Sequence, residues 1–186
     1  MARRPIIAGN WKMNKTTVEA VALSQQISYE TDKDFDDVDI ILCPPFIDLK
    51  SVANVLAFDN SDIVLGAQDV FWEEAGAYTG AISPVMLAEV GCTYCIIGHS
   101  ERREYFGDTD ETVNKKVLKA FEHGLTPILC CGESLEEREN GSFKEVIGAE
   151  IRDSLFHLTA EQMKSIVIAY EPIWAIGAGK TATSDQ

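Results

Sequence analysis

Positive charge is what this sequence has least of: 16 Lys and Arg stand against 30 Asp and Glu, a formal net charge of −14. A phosphate backbone needs a basic face, so no nucleic-acid partner is expected, whereas a small anion held in one local patch of positive charge remains open. Long apolar runs are also missing. None reaches the roughly 18 residues that would mark a membrane-spanning helix, so no membrane partner is expected. The opening Met1-Ala2-Arg3-Arg4-Pro5 has neither the apolar core nor the cleavage site of a secretion signal, which makes the cytoplasm the expected location. Repeats, linkers and low-complexity tracts are absent, and 186 residues can bury one good core, so residues 1–186 read as a single domain.

What is present begins with an odd set of cysteines: Cys43, Cys92, Cys95, Cys130 and Cys131. Without a secretion signal they read as free thiols. The gap between Cys92 and Cys95 has the spacing of a zinc half-site, but most of the set lies in apolar strand-like runs, and adjacent cysteines on a strand face opposite ways. Buried structural thiols are the expected outcome.

Apolar, β-rich runs occur at Pro5 to Ala8, Val38 to Cys43, Ile63 to Ala67, Thr93 to Ile97, Thr126 to Cys131 and Ser165 to Tyr170. Each is nearly continuous rather than alternating, as parallel strands covered on both faces should be. Between them the apolar spacing predicts helices over Thr16 to Tyr29, Asp48 to Phe58, Ser83 to Val90, Asp108 to His123 and Ser142 to Leu158, with Thr159 capping a last short turn. Ser83-Pro84 is a helix start, and Gly124 a left-handed stop. Repeated βα units with right-handed crossovers give a parallel sheet wrapped by helices, either a doubly wound open sheet or a barrel.

In such folds the chemistry gathers at the carboxyl ends of the strands. Those positions hold Asn10 and Lys12 after the first strand, Gln68 after the third, His99 after the fourth, Glu133 after the fifth and Glu171 after the sixth. An ionisable Glu171 closing an apolar strand, followed by Pro172 and Trp174 and a Gly-rich segment, reads as a catalytic carboxylate followed by a mobile lid. His99 precedes Ser100-Glu101-Arg102-Arg103, the first turn of a helix, whose N–H groups would keep the imidazole neutral. Lys12 is one of few cations near this mouth, while His123 and His157 read as structural.

Three segments carry a resemblance: Ala8-Gly9-Asn10-Trp11-Lys12-Met13-Asn14, Ile97-Gly98-His99-Ser100-Glu101-Arg102-Arg103, and Tyr170-Glu171-Pro172-Ile173-Trp174-Ala175-Ile176-Gly177. In this order the chain resembles the triosephosphate isomerase family. The resemblance implies a TIM (β/α) barrel, of which this chain offers six of the eight βα units. It also implies interconversion of dihydroxyacetone phosphate and D-glyceraldehyde 3-phosphate, a glycolytic and gluconeogenic step using no metal and no organic cofactor. Glu171 would be the base, His99 the neutral acid and Lys12 the catalytic cation that also binds substrate. Asn10 and the Gly177 N–H would contact substrate, with Ser100 and Glu101 supporting and Glu101 orienting Lys12. Pro172, Ile173, Trp174, Ala175, Ile176, Gly177, Ala178, Gly179, Lys180 and Thr181 would form the lid. The long aromatic segment from Asp69 to Ser83 would enter the partner of a homodimer, with Thr79 near the other active site. The serine and glycine amides with which the family holds the substrate phosphate have no counterpart in these residues. Against this stand an inactive, self-associating interaction module, a thiol-based metal or redox protein, and a hydrolase using Glu133 and Glu171 as a carboxylate pair.

Overall fold

The computed structural model describes residues 3–31, 37–176 and 181–183. Six strands, β1 (Ile6–Asn10), β2 (Asp39–Cys43), β3 (Val64–Ala67), β4 (Cys92–Ile97), β5 (Thr126–Cys131) and β6 (Val167–Tyr170), lie in chain order in one wholly parallel sheet. A doubly wound sheet reverses its strand order at a switch point. None occurs here, and the sheet curls as an incomplete TIM-type (β/α) barrel. The curl is close enough that Arg3, just before β1, donates to the Ile166 carbonyl just before β6, at 2.8 Å.

The strands separate two apolar layers. Ile41, Cys43, Ile96, Ile128 and Cys130 form the concave, inner layer. Residues of opposite parity, including Leu42, Leu65, Cys95, Ile97 and Leu129, join Val52, Leu87, Val113 and Val117 of the surrounding helices. Alternation therefore buries both faces of the central strands, as their continuous hydrophobicity requires. The expectation fails at the two edges: β1 and β6 carry exposed positions such as Ile7 and Ile168, because each has a strand on one side only.

The helices are α1 (Thr17–Thr31), α2 (Leu49–Phe58), α3 (Pro84–Val90), α4 (Ser100–Phe106), α5 (Asp110–Glu122), α6 (Leu135–Glu139), α7 (Phe143–Ser154) and α8 (Ala160–Ser165). Ser83 caps α3 ahead of Pro84, and Thr159 caps α8 by accepting the Gln162 N–H, as the sequence predicts. Ser165, expected to open the last strand, instead closes α8. The helix expected from Asp48 starts one residue later: Phe46–Asp48 is a 3-10 turn leading into α2 at Leu49. Two helices exceed the expectation, α4 beyond its first turn and α6 entirely. No helix among the described residues is long and apolar enough to cross a membrane.

All five cysteines are free and buried. Cys130 lies in the inner layer, and Cys131, its neighbour on β5, faces the other way.

Candidate active site

The mouth at the carboxyl ends of the strands is built outward from β1. Lys12 has a left-handed backbone, φ 54°, unusual for a residue with a Cβ. It is held there from both sides: its N–H donates to Asn10 Oδ1 at 3.0 Å, and its carbonyl accepts from Gln68 Nε2 at 2.9 Å. Gln68 Nε2 also reaches the Cys43 carbonyl, at 2.9 Å, which ties the β1 loop to β2 and β3. The strained loop aims the Lys12 ammonium at Glu101, with Nζ 2.7 Å from Oε1. Glu101 is thus the ion-pair partner of Lys12 at this mouth.

Glu101 sits in the first turn of α4, whose N-cap is His99. Gly98, at φ 74°, makes the left-handed step that swings the chain from β4 into this cap. His99 Nδ1 accepts the Glu101 N–H at 3.2 Å, while the Glu101 carboxylate stands 3.6 Å away, too far for a hydrogen bond. An accepting Nδ1 carries no proton. The hydrogen-bond network thus assigns a neutral ring with its proton on Nε2.

That Nε2 lies 2.8 Å from Glu171 Oε1, and the Ser100 N–H donates to Glu171 Oε2 at 3.1 Å. Burial pushes the Glu171 carboxyl up, but the His99 hydrogen bond, the charge of that ring when protonated and the Ser100 N–H outweigh it and hold the group below its ordinary value. For a neutral ring the charge contribution falls away and the hydrogen bonds remain. Asn10, Lys12, His99, Ser100, Glu101 and Glu171 thus form one linked constellation running from β1 to β6.

The fully buried Glu133, after β5, does not face Glu171 as a second catalytic carboxylate. Its Oε1 accepts from Tyr170 at 3.0 Å and from the Trp174 indole at 2.9 Å, with Arg138 at 3.5 Å. Its carbonyl accepts the Ile173 N–H at 3.2 Å. Glu133 therefore anchors the 3-10 turn Ile173–Ala175, which follows Glu171. This arrangement removes the glycosidase-like carboxylate pair. Among the expected lid positions, Pro172, Ile173, Trp174, Ala175, Ile176 and Thr181 are described; Gly177, Ala178, Gly179 and Lys180 lie outside the described residues.

A cleft of about 520 Å³ lies beside the constellation, lined among others by Phe46, Gln68, Trp72, Arg102 and Phe106. It contains none of His99, Lys12 and Glu171. The segment from Asp69 to Ser83 folds beside it, with the Phe71 ring 4.1 Å from Trp72 and 4.7 Å from Tyr78. Its base is fixed by Lys116, almost wholly buried between Asp69 at 2.8 Å and Asp108 at 2.7 Å. Thr79 stands exposed at its tip.

The family model described as triosephosphate isomerase matches residues 5–186. The chain belongs to the triosephosphate isomerase family. It is similar to proteins named triosephosphate isomerase from Thermoanaerobacter sp. (strain X514), 55% identical over 98% of this chain and 72% of the relative, and from Clostridium beijerinckii, 54% identical over 99% and 73%. A third, from Caldanaerobacter subterraneus, is 56% identical over 97% of this chain and 71% of the relative. A triosephosphate isomerase sequence thus accompanies the neutral imidazole, the carboxylate and the ammonium held by Glu101.

Proposed function

We infer that this chain is an isomerase that interconverts dihydroxyacetone phosphate and D-glyceraldehyde 3-phosphate by proton transfer through an enediolate. The observation that carries this reading is the contact between the Nε2–H of a neutral His99 and the Glu171 carboxylate, at 2.8 Å, in a mouth that also presents Lys12. Family membership supports the substrate class.

Glu171 takes the proton from the carbon beside the carbonyl. The electron pair of that C–H bond becomes the new C=C bond, and the carbonyl electrons move onto oxygen. His99 Nε2–H donates to that oxygen, and Lys12 stabilises the growing negative charge. Glu171 then returns the proton to the neighbouring carbon while the hydroxyl proton passes through His99, so no net proton is gained or lost. Asn10 has committed Oδ1 to the Lys12 N–H, which leaves its Nδ2 as the donor for a substrate oxygen. Because both Glu171 oxygens are engaged, by His99 and by Ser100 N–H, the carboxylate must leave these partners to reach a substrate carbon.

We assign Pro172 to Thr181 as the lid, anchored through Trp174 on Glu133, with the Gly177 N–H as its contact to substrate. We take residues 1–186 as one barrel domain and place the protein in the cytoplasm, in keeping with its free thiols. We also propose a homodimer, in which the exposed tip at Thr79 enters the cleft beside Phe46 and Phe106 of a second copy. The exposed apolar residues Met13, Phe46, Ile47 and Phe106 near this mouth support that reading. Sedimentation of the native chain as a monomer would overturn it.

A coupled triose phosphate isomerisation assay on this chain tests the function, with Glu171→Gln prepared identically. The expected loss in the variant is about 10²- to 10⁴-fold in kcat. Native turnover no higher than that of the variant would refute the assignment.

A further inference from the structure

On the helix side of the sheet, behind the carboxyl ends of β4 and β5, lies a polar cluster that the reaction above does not use. Arg103 of α4 donates from Nε to the Gly98 carbonyl at 3.0 Å and from Nη1 to Asp110 Oδ1 at 2.7 Å. Ser154, fully buried on α7, donates to the same Asp110 oxygen at 3.3 Å. Glu150, also on α7, accepts the Gly132 N–H on Oε2 at 2.9 Å and brings Oε1 within 4.0 Å of Arg103 Nη1. The Arg103 and Glu150 side chains are 18% and 17% exposed, so these charge-assisted contacts form largely out of water.

The two backbone groups held in this way adjoin the reacting side chains. Gly98 immediately precedes His99. Gly132 supports Glu171 directly: a Cβ built at Gly132 would fall 1.7 Å from the Glu171 carbonyl oxygen, so the two backbones touch. The Glu171 N–H also donates to the Cys131 carbonyl at 2.8 Å. Moving the Cys131–Gly132 peptide therefore moves the base.

We propose that Glu150 is a positioning residue for the isomerisation: by fixing the Gly132 N–H at 2.9 Å, it sets the position of the Glu171 carboxylate relative to the His99 imidazole. Its kinetic consequence rests on the isomerase reading; the contact itself does not. The charged and titratable groups facing Glu150 are Arg103 from α4, Asp110 from α5, Glu137 from α6 and the Cys131 thiol from β5. Burial pushes the Glu150 carboxyl up, the Gly132 N–H and Arg103 pull it back, and Asp110 and Glu137 add to the rise. The balance leaves it above its ordinary value.

The experiment follows the Gly132 and Glu171 amide resonances against pH in the native chain, Glu150→Gln and Glu150→Leu, beside steady-state kinetics. In the native chain the Gly132 amide should move with one carboxyl titration, and Glu150→Gln should abolish that movement. Glu150→Leu should displace the Glu171 amide and Glu150→Gln restore it, since a carboxamide oxygen still accepts. Glu150→Leu should lower kcat about tenfold to a hundredfold with KM within about threefold, and Glu150→Gln should recover most of it. A Gly132 amide that titrates identically in the native chain and Glu150→Gln overturns the proposal, as does an unchanged kcat in Glu150→Leu. If Glu150→Leu does not fold, the Glu150→Gln titration decides. If native turnover does not exceed that of Glu171→Gln, the isomerase reading fails by itself, and the two amides still judge the contact.

Discussion

His99 Nε2 and Glu171 Oε1 stand 2.8 Å apart, with the imidazole proton aimed at the carboxylate because Nδ1 is occupied by the Glu101 N–H. The imidazole and the carboxylate therefore hold each other. The cap of α4 fixes the tautomer, so one local hydrogen bond decides which protonation state the site offers.

This pairing predicts an acid limb in the pH profile of kcat/KM. The Glu171 carboxyl ionises below its ordinary value of 4.5: burial raises it, and the His99 hydrogen bond, the charge of that ring when protonated and the Ser100 hydrogen bonds together more than offset the rise. A depressed folded value means that the stabilisation is fully present above the unfolded value and is lost as pH falls through the folded one. Because the carboxylate is also the form that accepts a proton, the Glu171 limb of activity should lie on the acid side of the ordinary carboxyl value, with activity falling as pH drops through it. A limb for this group well above the ordinary carboxyl range would contradict the geometry.

Gly132→Ala should be far more damaging than an ordinary Gly→Ala change. The added Cβ meets the Glu171 backbone rather than a movable side chain. We expect a loss of at least about 1 to 3 kcal/mol in urea unfolding, with the base displaced in any fraction that folds. Native stability with native kcat would show that β5 and β6 do not touch there.

Tyr170→Phe removes one donor to the fully buried Glu133 carboxylate, whose Oε2 already lacks a hydrogen-bond partner among the described residues. Hydrogen bonds to charged acceptors contribute about 1.5 to 3 kcal/mol, so chemical denaturation should show a loss in that range. Trp174→Phe should instead lower kcat more than stability, because the indole bond at 2.9 Å fixes the turn that follows the base. Equal effects of the two changes on kcat and on stability would argue against separate roles.

The thiols should be silent in the native protein. Burial pushes Cys43 and Cys92 up to about 12 and Cys131 to about 11, and it raises Cys95 and Cys130 as well. The thiolate is the reactive form. Titration with a disulfide reagent at neutral pH should label none of the five quickly and all of them after unfolding. If one labels first, it should be Cys131.

The βα order was legible because hydrophobic continuity marks parallel strands and capping residues mark helix starts. The rim was legible because parallel strands in chain order deliver the residues at and just after their carboxyl ends to one side: position offered Asn10, Lys12, Gln68, His99, Glu133 and Glu171, and the three family-like segments singled out Asn10, Lys12, His99 and Glu171 among them. The α6 helix was missed although Ser134 and Glu137 have the capping-box spacing and form that box. A five-residue helix shows too little periodicity to be recognised by pattern.

The chain by itself determined which residues could do the chemistry, since their type and their position after each strand are local properties. Only the tertiary structure decided how they are held. Glu133 could serve as catalyst or anchor until Tyr170, Trp174 and Ile173 were brought to it, and nothing local tied Glu150 to Gly132. The exposure of β1 and β6 was equally hidden, because an edge strand and a central strand can have the same sequence pattern. Hydrogen bonds and burial between distant segments depend on how the sheet curls, and no short stretch of residues encodes that geometry.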